Sequence, residues 1–262
     1  MIDTRPARGL ANWLGLWTLY LKEVRRYLKI FGQTLLAPVV TTLLFLTVFA
    51  VAFGGGRIVA GIPYIQFLTP GLIMMSILQN AFANTSTSLI QMKLNENIVD
   101  TLMPPISAIE YAAAFIFSGA TRGIMVAMGV GVALSLVVPV GIHNIGLIIF
   151  YGCAAALMMS TIGLITGIWA EKFDHISTVT NFVILPLSFL SGTFFSIERF
   201  TPLLQAFSHV NPFFYLIDGF RYGFTGHADG SLEIGIALVT VIDVALATIC
   251  FMMLRSGYKL KE

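Results

Sequence analysis

The chain has 262 residues, 57% of them hydrophobic and only 11% charged, with a formal net charge of +2. A composition this apolar excludes an ordinary soluble domain, and a charge this small carries no nucleic-acid signature, so the chain reads as a polytopic membrane protein. Cys153 and Cys250 both fall inside apolar stretches and read as small core residues rather than as a disulfide or metal ligands.

No short apolar core with a small-residue cleavage site opens the chain, so no cleavable signal is expected. Between residues 12 and 30, Trp13, Leu16, Trp17, Tyr20, Val24, Tyr27 and Leu28 recur at helical spacing, while Lys22, Glu23, Arg25, Arg26 and Lys29 take the other positions. That pattern predicts an amphipathic helix in the cytoplasmic interface, with its rings at headgroup depth and its cations toward anionic lipid. Its role is either a plain membrane anchor or an anchor whose Glu23, Arg25 and Arg26 also touch a cytoplasmic partner.

Six apolar stretches follow, at about 34–53, 64–85, 110–138, 145–170, 176–194 and 232–254. Each is about long enough to cross a hydrocarbon core of roughly 30 Å, which takes about 20 helical residues. The expected fold is therefore an all-α membrane protein, a single permease domain over 1–262 with six transmembrane helices. Eleven of the fifteen Lys and Arg residues fall on one side of these spans, which predicts a cytoplasmic location for both termini.

Gly54 to Gly61 reads as a flexible external turn. The run Gly54-Gly55-Gly56-Arg57 lacks the spacing and the lysine that cradle phosphates, and no Gly-x-x-x-x-Gly-Lys-Ser/Thr run occurs elsewhere. This chain is thus expected to be no enzyme and to bind no cofactor itself.

The longest cytoplasmic link, 91–105, carries a helical pattern with Lys93, Glu96, Asn97 and Asp100 available to a soluble partner, and Pro104-Pro105 stops it. It is either a passive connector or a helix that couples the spans to a partner. Deep in the third and sixth spans lie Arg122 and Asp243, which approach the midplane at about 1.5 Å per residue. Isolated charges there cost roughly 2.5–3.5 kcal/mol each, so the two are expected to pair, the alternative being that one of them lines a path.

Residues 195–231 are too apolar for a solvated loop and too broken for a span. Pro202 and Asn211-Pro212 each end a helical run, and the many aromatic residues from Phe207 to Phe224 favour burial, so a re-entrant external hairpin of two short helices is predicted. Asp218 and Arg221, at i and i+3, form a local pair or take part in an external gate with Asn211, Pro212 and Phe213. Two other classes are weaker. An intramembrane serine protease needs its nucleophile beside a histidine within the spans, whereas His143, His175, His209 and His227 all sit at span ends or in links. A channel or secondary transporter built on paired half-helices calls for an internal repeat, and none is found around the single Asn211-Pro212. No metal-ligand spacing is present.

Four passages in order resemble the membrane subunit of type-2 ATP-binding-cassette exporters, the family of drug, polysaccharide and lipo-oligosaccharide export permeases. They are Lys22-Glu23-Val24-Arg25-Arg26 leading to Ala37-Pro38, Phe67-Leu68-Thr69-Pro70-Gly71, Asp100-Thr101-Leu102-Met103-Pro104-Pro105, and Asn211-Pro212-Phe213 continuing to Asp218-Gly219-Phe220-Arg221-Tyr222. The resemblance implies a dimer of permease subunits in the inner membrane, a path at their interface, and a separate ATPase subunit that supplies ATP and Mg chemistry beneath each half. It implies that the interfacial helix and the 91–105 helix contact the ATPase, with Glu23, Arg25, Arg26, Lys93, Glu96 and Asp100 as candidates. It also implies that 195–224 closes the outer end, and that transport runs outward. Where that family often carries a Gly-Thr-Leu-Glu-like run, this chain has Val99-Asp100-Thr101-Leu102, with the acid displaced.

Overall fold

The computed structural model describes residues 12–53, 56–59, 61–96, 105–197 and 201–259. Helix α1, Trp13–Leu28, opens the fold; the Asn12 side chain caps it by accepting a hydrogen bond from Gly15 N at 2.9 Å. A π-helical turn, Gly32–Leu36, runs directly into α2, Ala37–Phe53. A two-stranded hairpin follows, β1 Ile58–Val59 against β2 Ile62–Pro63, with Ile58 opposite Pro63 and Gly61 at φ 78° in its turn. Glycine adopts that left-handed backbone without steric cost.

Helix α3, Tyr64–Leu94, is the longest element at 31 residues and forms the centre of the bundle. It packs against α4, Ala108–Ser135, and α5, Ile145–Trp169, the first of which starts in a capping box built by Ser107 and Glu110. The three helices approach closely because small residues line their contacts: a Cβ added at Gly163 of α5 would lie 2.4 Å from the Phe82 carbonyl oxygen of α3. Next come α6, Phe173–Val179, a second π-helical turn, Thr180–Ile184, and α7, Leu185–Phe189. Helices α8, Pro202–Val210, and α9, Pro212–Thr225, meet at Asn211, and α10, Leu232–Ser256, closes the fold against α5 and α9.

Among the described residues, five helices are long and apolar enough to cross a membrane: Gly32–Phe53, Tyr64–Leu94, Ala108–Ser135, Ile145–Trp169 and Leu232–Ser256. The fifth stretch expected from the sequence, 176–194, is a helical run over 173–189 with the π-helical turn in its middle; it stops at Phe189, short of the expected end, in a tight turn with Gly192 at φ 79°. Pro186 accounts for the π turn, because it offers no N–H and its ring crowds the carbonyl one turn earlier. Asn211-Pro212 ends α8, as expected, with Asn211 standing both as the C-cap of α8 and as the N-cap of α9. Pro202 and Pro212 also each begin a helix, where the missing N–H has no intrahelical partner to lose.

The link after α3 also differs. Helix α3 continues to Leu94, and Glu96 then takes a left-handed backbone at φ 56° that ends it. The remainder of the expected 91–105 helix, Asp100 included, lies outside the described residues.

Candidate functional site

A half-open cavity of about 740 Å³ lies between α1, α2, α3, α4 and α6. One wall is the polar stripe of α3, where Ser76, Gln79, Asn80, Ala83, Thr87 and Gln91 follow one another at three- and four-residue steps and so share a face. Opposite are two distorted helices. The π-helical turn Gly32–Leu36 ends two residues before Pro38, and the turn Thr180–Ile184 ends two residues before Pro186. In both, the wider turn relieves the crowding a proline imposes on the turn before it. The first brings Gln33, Pro38, Thr41 and Thr42 to the cavity, and the second brings Thr180 and Asn181.

The charged side chains lining the cavity are Arg26 and Arg122. Arg26 is held: its Nε donates to Glu23 Oε2 at 3.1 Å, and its Nη2 donates to the Asn84 carbonyl oxygen at 2.9 Å and to Asn84 Oδ1 at 3.0 Å. Ser88 Oγ donates to the same Glu23 carboxylate at 2.6 Å, and Asn84 Nδ2 donates to Ser118 Oγ at 3.2 Å, so one network joins α1, α3 and α4. Glu23 is only 1% exposed. Its carboxylate therefore faces the bundle, not an outside partner, while Arg25 is exposed. Lys93 is likewise turned inward, donating to the Ile168 and Ala170 carbonyl oxygens where α5 ends, the second at 3.1 Å. Those terminal carbonyls lack intrahelical donors and carry the negative end of the helix dipole. Glu96 is exposed beside them. On the same side, Lys259 pairs with Glu171 at 2.5 Å, and that hydrogen bond and charge hold the Glu171 carboxyl below its usual range.

Arg122 is different. Its Nε is buried without a hydrogen-bond partner, and it belongs to no ion pair among the described residues. The expected pair with Asp243 does not form. Asp243 lies in a separate groove of about 370 Å³ among Ile109, Ala112, Ala113 and Ile116 of α4, where its own Oδ1 is unpartnered. Arg122 stands nine residues beyond Ala113, about two and a half helical turns, so the two charges face opposite sides of α4. Sequence depth places both near mid-span but says nothing of helix face.

At the end of the bundle where α3 begins, Asn211 Nδ2 donates to the Leu187 carbonyl oxygen at 3.0 Å and to Ser191 Oγ at 2.6 Å, and its Oδ1 caps α9 at Phe213 N at 3.0 Å. Pro212 follows at the first turn of α9, and Phe213 is buried behind it. Asp218 and Arg221 do not form the local pair considered from the sequence. Asp218 accepts from Asp229 N and Gly230 N, both at 2.9 Å. Arg221, 1% exposed, donates to the Gly192 carbonyl oxygen at 2.5 Å and to the Phe67 carbonyl oxygen at 3.3 Å, with its guanidinium 3.8 Å from the centre of the Phe67 ring. A residue chosen for its sequence neighbour thus ties α9 to α3 and to the turn after α7. The α3 stripe, which the sequence reading passed over, was visible as Ser, Gln, Asn and Thr at helical spacing inside a span.

Long apolar helices around a half-open cavity that carries one polar helix face define the class as an integral membrane protein. The ABC-2 type transporter family matches residues 15–225. The inner membrane transport permease YadH of Escherichia coli (strain K12) is 36% identical over 252 residues, 95% of this chain and 98% of that protein. Nodulation protein J of Neorhizobium galegae is 20% identical over 240 residues, 89% of this chain and 90% of its own length, and that of Rhizobium leguminosarum bv. viciae is 23% identical over 251 residues, 92% and 93% respectively. The chain belongs to the ABC-2 type transporter family. It is a membrane permease subunit, a transport component and not a catalyst, and membership implies an ATP-binding-cassette system with an ATPase partner.

Proposed function

We propose that this chain is the membrane-spanning subunit of an ATP-driven exporter that moves an amphiphilic, lipid-linked or drug-like substrate, or a polysaccharide, out of the cytoplasm. The observation that carries the reading is the cavity walled by the polar stripe of α3 on one side and by the two π-distorted helices on the other. A water-filled path needs such a face, since polar groups left in hydrocarbon are costly. The outer flank of that wall is apolar and uncovered: only 11% of the α2 span is buried, and Leu44, Val48, Val51 and Phe182 are exposed. A second permease subunit, in the simplest case another copy of this chain, covers that flank and completes the path.

Both termini lie on the cytoplasmic side of the inner membrane in this reading. ATP and Mg bind the partner ATPase, which meets the chain through the outward groups Arg25 and Glu96 and through the Asp100 segment. Glu23, Arg26 and Lys93 act from behind, holding α1 and the cytoplasmic ends of α3 and α5 together so that a push at the surface reaches the cavity.

Mild-detergent purification of the tagged chain from its native host, followed by mass spectrometry, tests this. A stoichiometric P-loop ATPase is the expected companion. A chain that purifies alone and moves solute in liposomes without ATP would overturn the reading in favour of a channel or secondary transporter.

A further inference from the structure

Arg122 presents an unanswered problem in charge. Its Nε is buried without an acceptor, yet the side chain lines the cavity and is not hidden in packed core. Among the described residues, no carboxylate lines that cavity. The carboxylate nearest the wall, Glu23, is bonded to Arg26 and Ser88, so its charge is already balanced. Asp243 is on the far face of α4. The cavity is therefore left with one uncompensated cation at membrane depth, where such a charge is expensive unless something pairs with it. A planar guanidinium suits a phosphate or carboxylate better than any other group, because its fork donates two parallel hydrogen bonds to an anion. Gln79 and Asn80 stand on the α3 stripe; the Asn80 amide keeps one N–H beyond the one it donates to the Ser76 carbonyl oxygen, so the two amides can bond the remaining oxygens, and a volume of about 740 Å³ admits a polar headgroup with the start of a tail.

We infer that the cavity is an anion-binding site in which the Arg122 guanidinium receives the phosphate or carboxylate of an amphiphilic ligand. This narrows the substrate class of the proposed permease and rests on that reading. Neutral drug-like molecules and uncharged glycans lack the group that answers Arg122; acidic amphiphiles have it. The anion belongs either to the cargo itself or to a bilayer lipid that enters between α2 and α6.

The test uses two matched probes, pyrene-labelled dodecyl phosphate and the corresponding uncharged alcohol, with the protein in nanodiscs of phosphatidylcholine. Wild type is expected to bind the phosphate about tenfold more tightly than the alcohol, equivalent to roughly 1.4 kcal/mol. Arg122→Gln is expected to bind both probes equally, with its affinity for the alcohol unchanged, and Arg122→Lys to keep part of the preference. Adding phosphatidylglycerol to the nanodiscs separates the sources: displacement of the probe assigns the site to a bilayer headgroup, and persistence of binding assigns it to acidic cargo. A wild type without preference, or a folded Arg122→Gln protein that retains it, overturns the proposal. Binding is read on whatever complex purifies, so loss of preference with the ATPase present counts against the anion site alone, whereas the missing ATPase counts against the permease reading.

Discussion

The joint around Arg221 and the cavity around Arg122 each hold an arginine in a largely apolar protein, and they handle it in opposite ways. Arg221 is closed in, with carbonyl oxygens of Gly192 and Phe67 as acceptors and the Phe67 ring beneath it. Arg122 has open space before it and no acceptor for its buried Nε. A fully answered charge is a structural joint, here fastening α9 to α3 and to the turn after α7. An unanswered one beside a cavity is left for a ligand. The same contrast runs through the helices: 78% of the α3 span is buried against 11% for α2, so the first is scaffold and the second is free to meet a partner.

The largest effect should come from breaking the joint. Arg221→Ala takes the side-chain donor from the Gly192 carbonyl and opens a void beside Phe67, which costs about 3 kcal/mol or more and shows as a sharply lowered unfolding midpoint in detergent. Gly163→Val tests the scaffold itself: overpacking against the Phe82 carbonyl costs about 1–3 kcal/mol, read in the same assay. Glu23→Gln weakens the tie between α1 and α3 by about 1 kcal/mol, and limited proteolysis should cut α1 sooner while the spans stay protected. Arg122→Gln should leave the unfolding midpoint unchanged or slightly raised, since it removes a buried charge without a partner; a loss as large as that of Arg221→Ala would erase the distinction between the two sites. Glu171→Gln, at the exposed pair with Lys259, should change nothing measurable.

How far the sequence could be read follows from what each signal encodes. Apolar length marks α2 to α5 and α10 clearly, and the aromatic and basic alternation marks α1, because burial in lipid acts on composition directly. Prolines were harder: the same dipeptide that ends one helix also starts the next, as Asn211-Pro212 does between α8 and α9, and Pro186 went unnoticed inside an apolar run. The two mid-span charges could be located along their spans but not in azimuth, since pairing depends on which face of α4 each one meets. Asp218 and Arg221 show the limit most plainly. Their spacing predicts a local pair, but the backbone N–H groups at 229–230 and the carbonyls of Gly192 and Phe67 are offered only by the folded chain.

The central claim, that the Arg122 cavity is the moving path and the Arg221 joint is fixed, is tested most directly by cysteine accessibility in the chain assembled with its ATPase. In a Cys153→Ser, Cys250→Ser background, Gln79→Cys reports from the cavity and Ser191→Cys from the joint. With a membrane-impermeant maleimide, labelling of the Gln79→Cys protein should change when ATP and vanadate trap the complex, while the Ser191→Cys protein stays unlabelled in both states. If the Gln79→Cys protein is never labelled, or labels identically in both states while the Ser191→Cys protein responds, the account is contradicted and the path lies elsewhere.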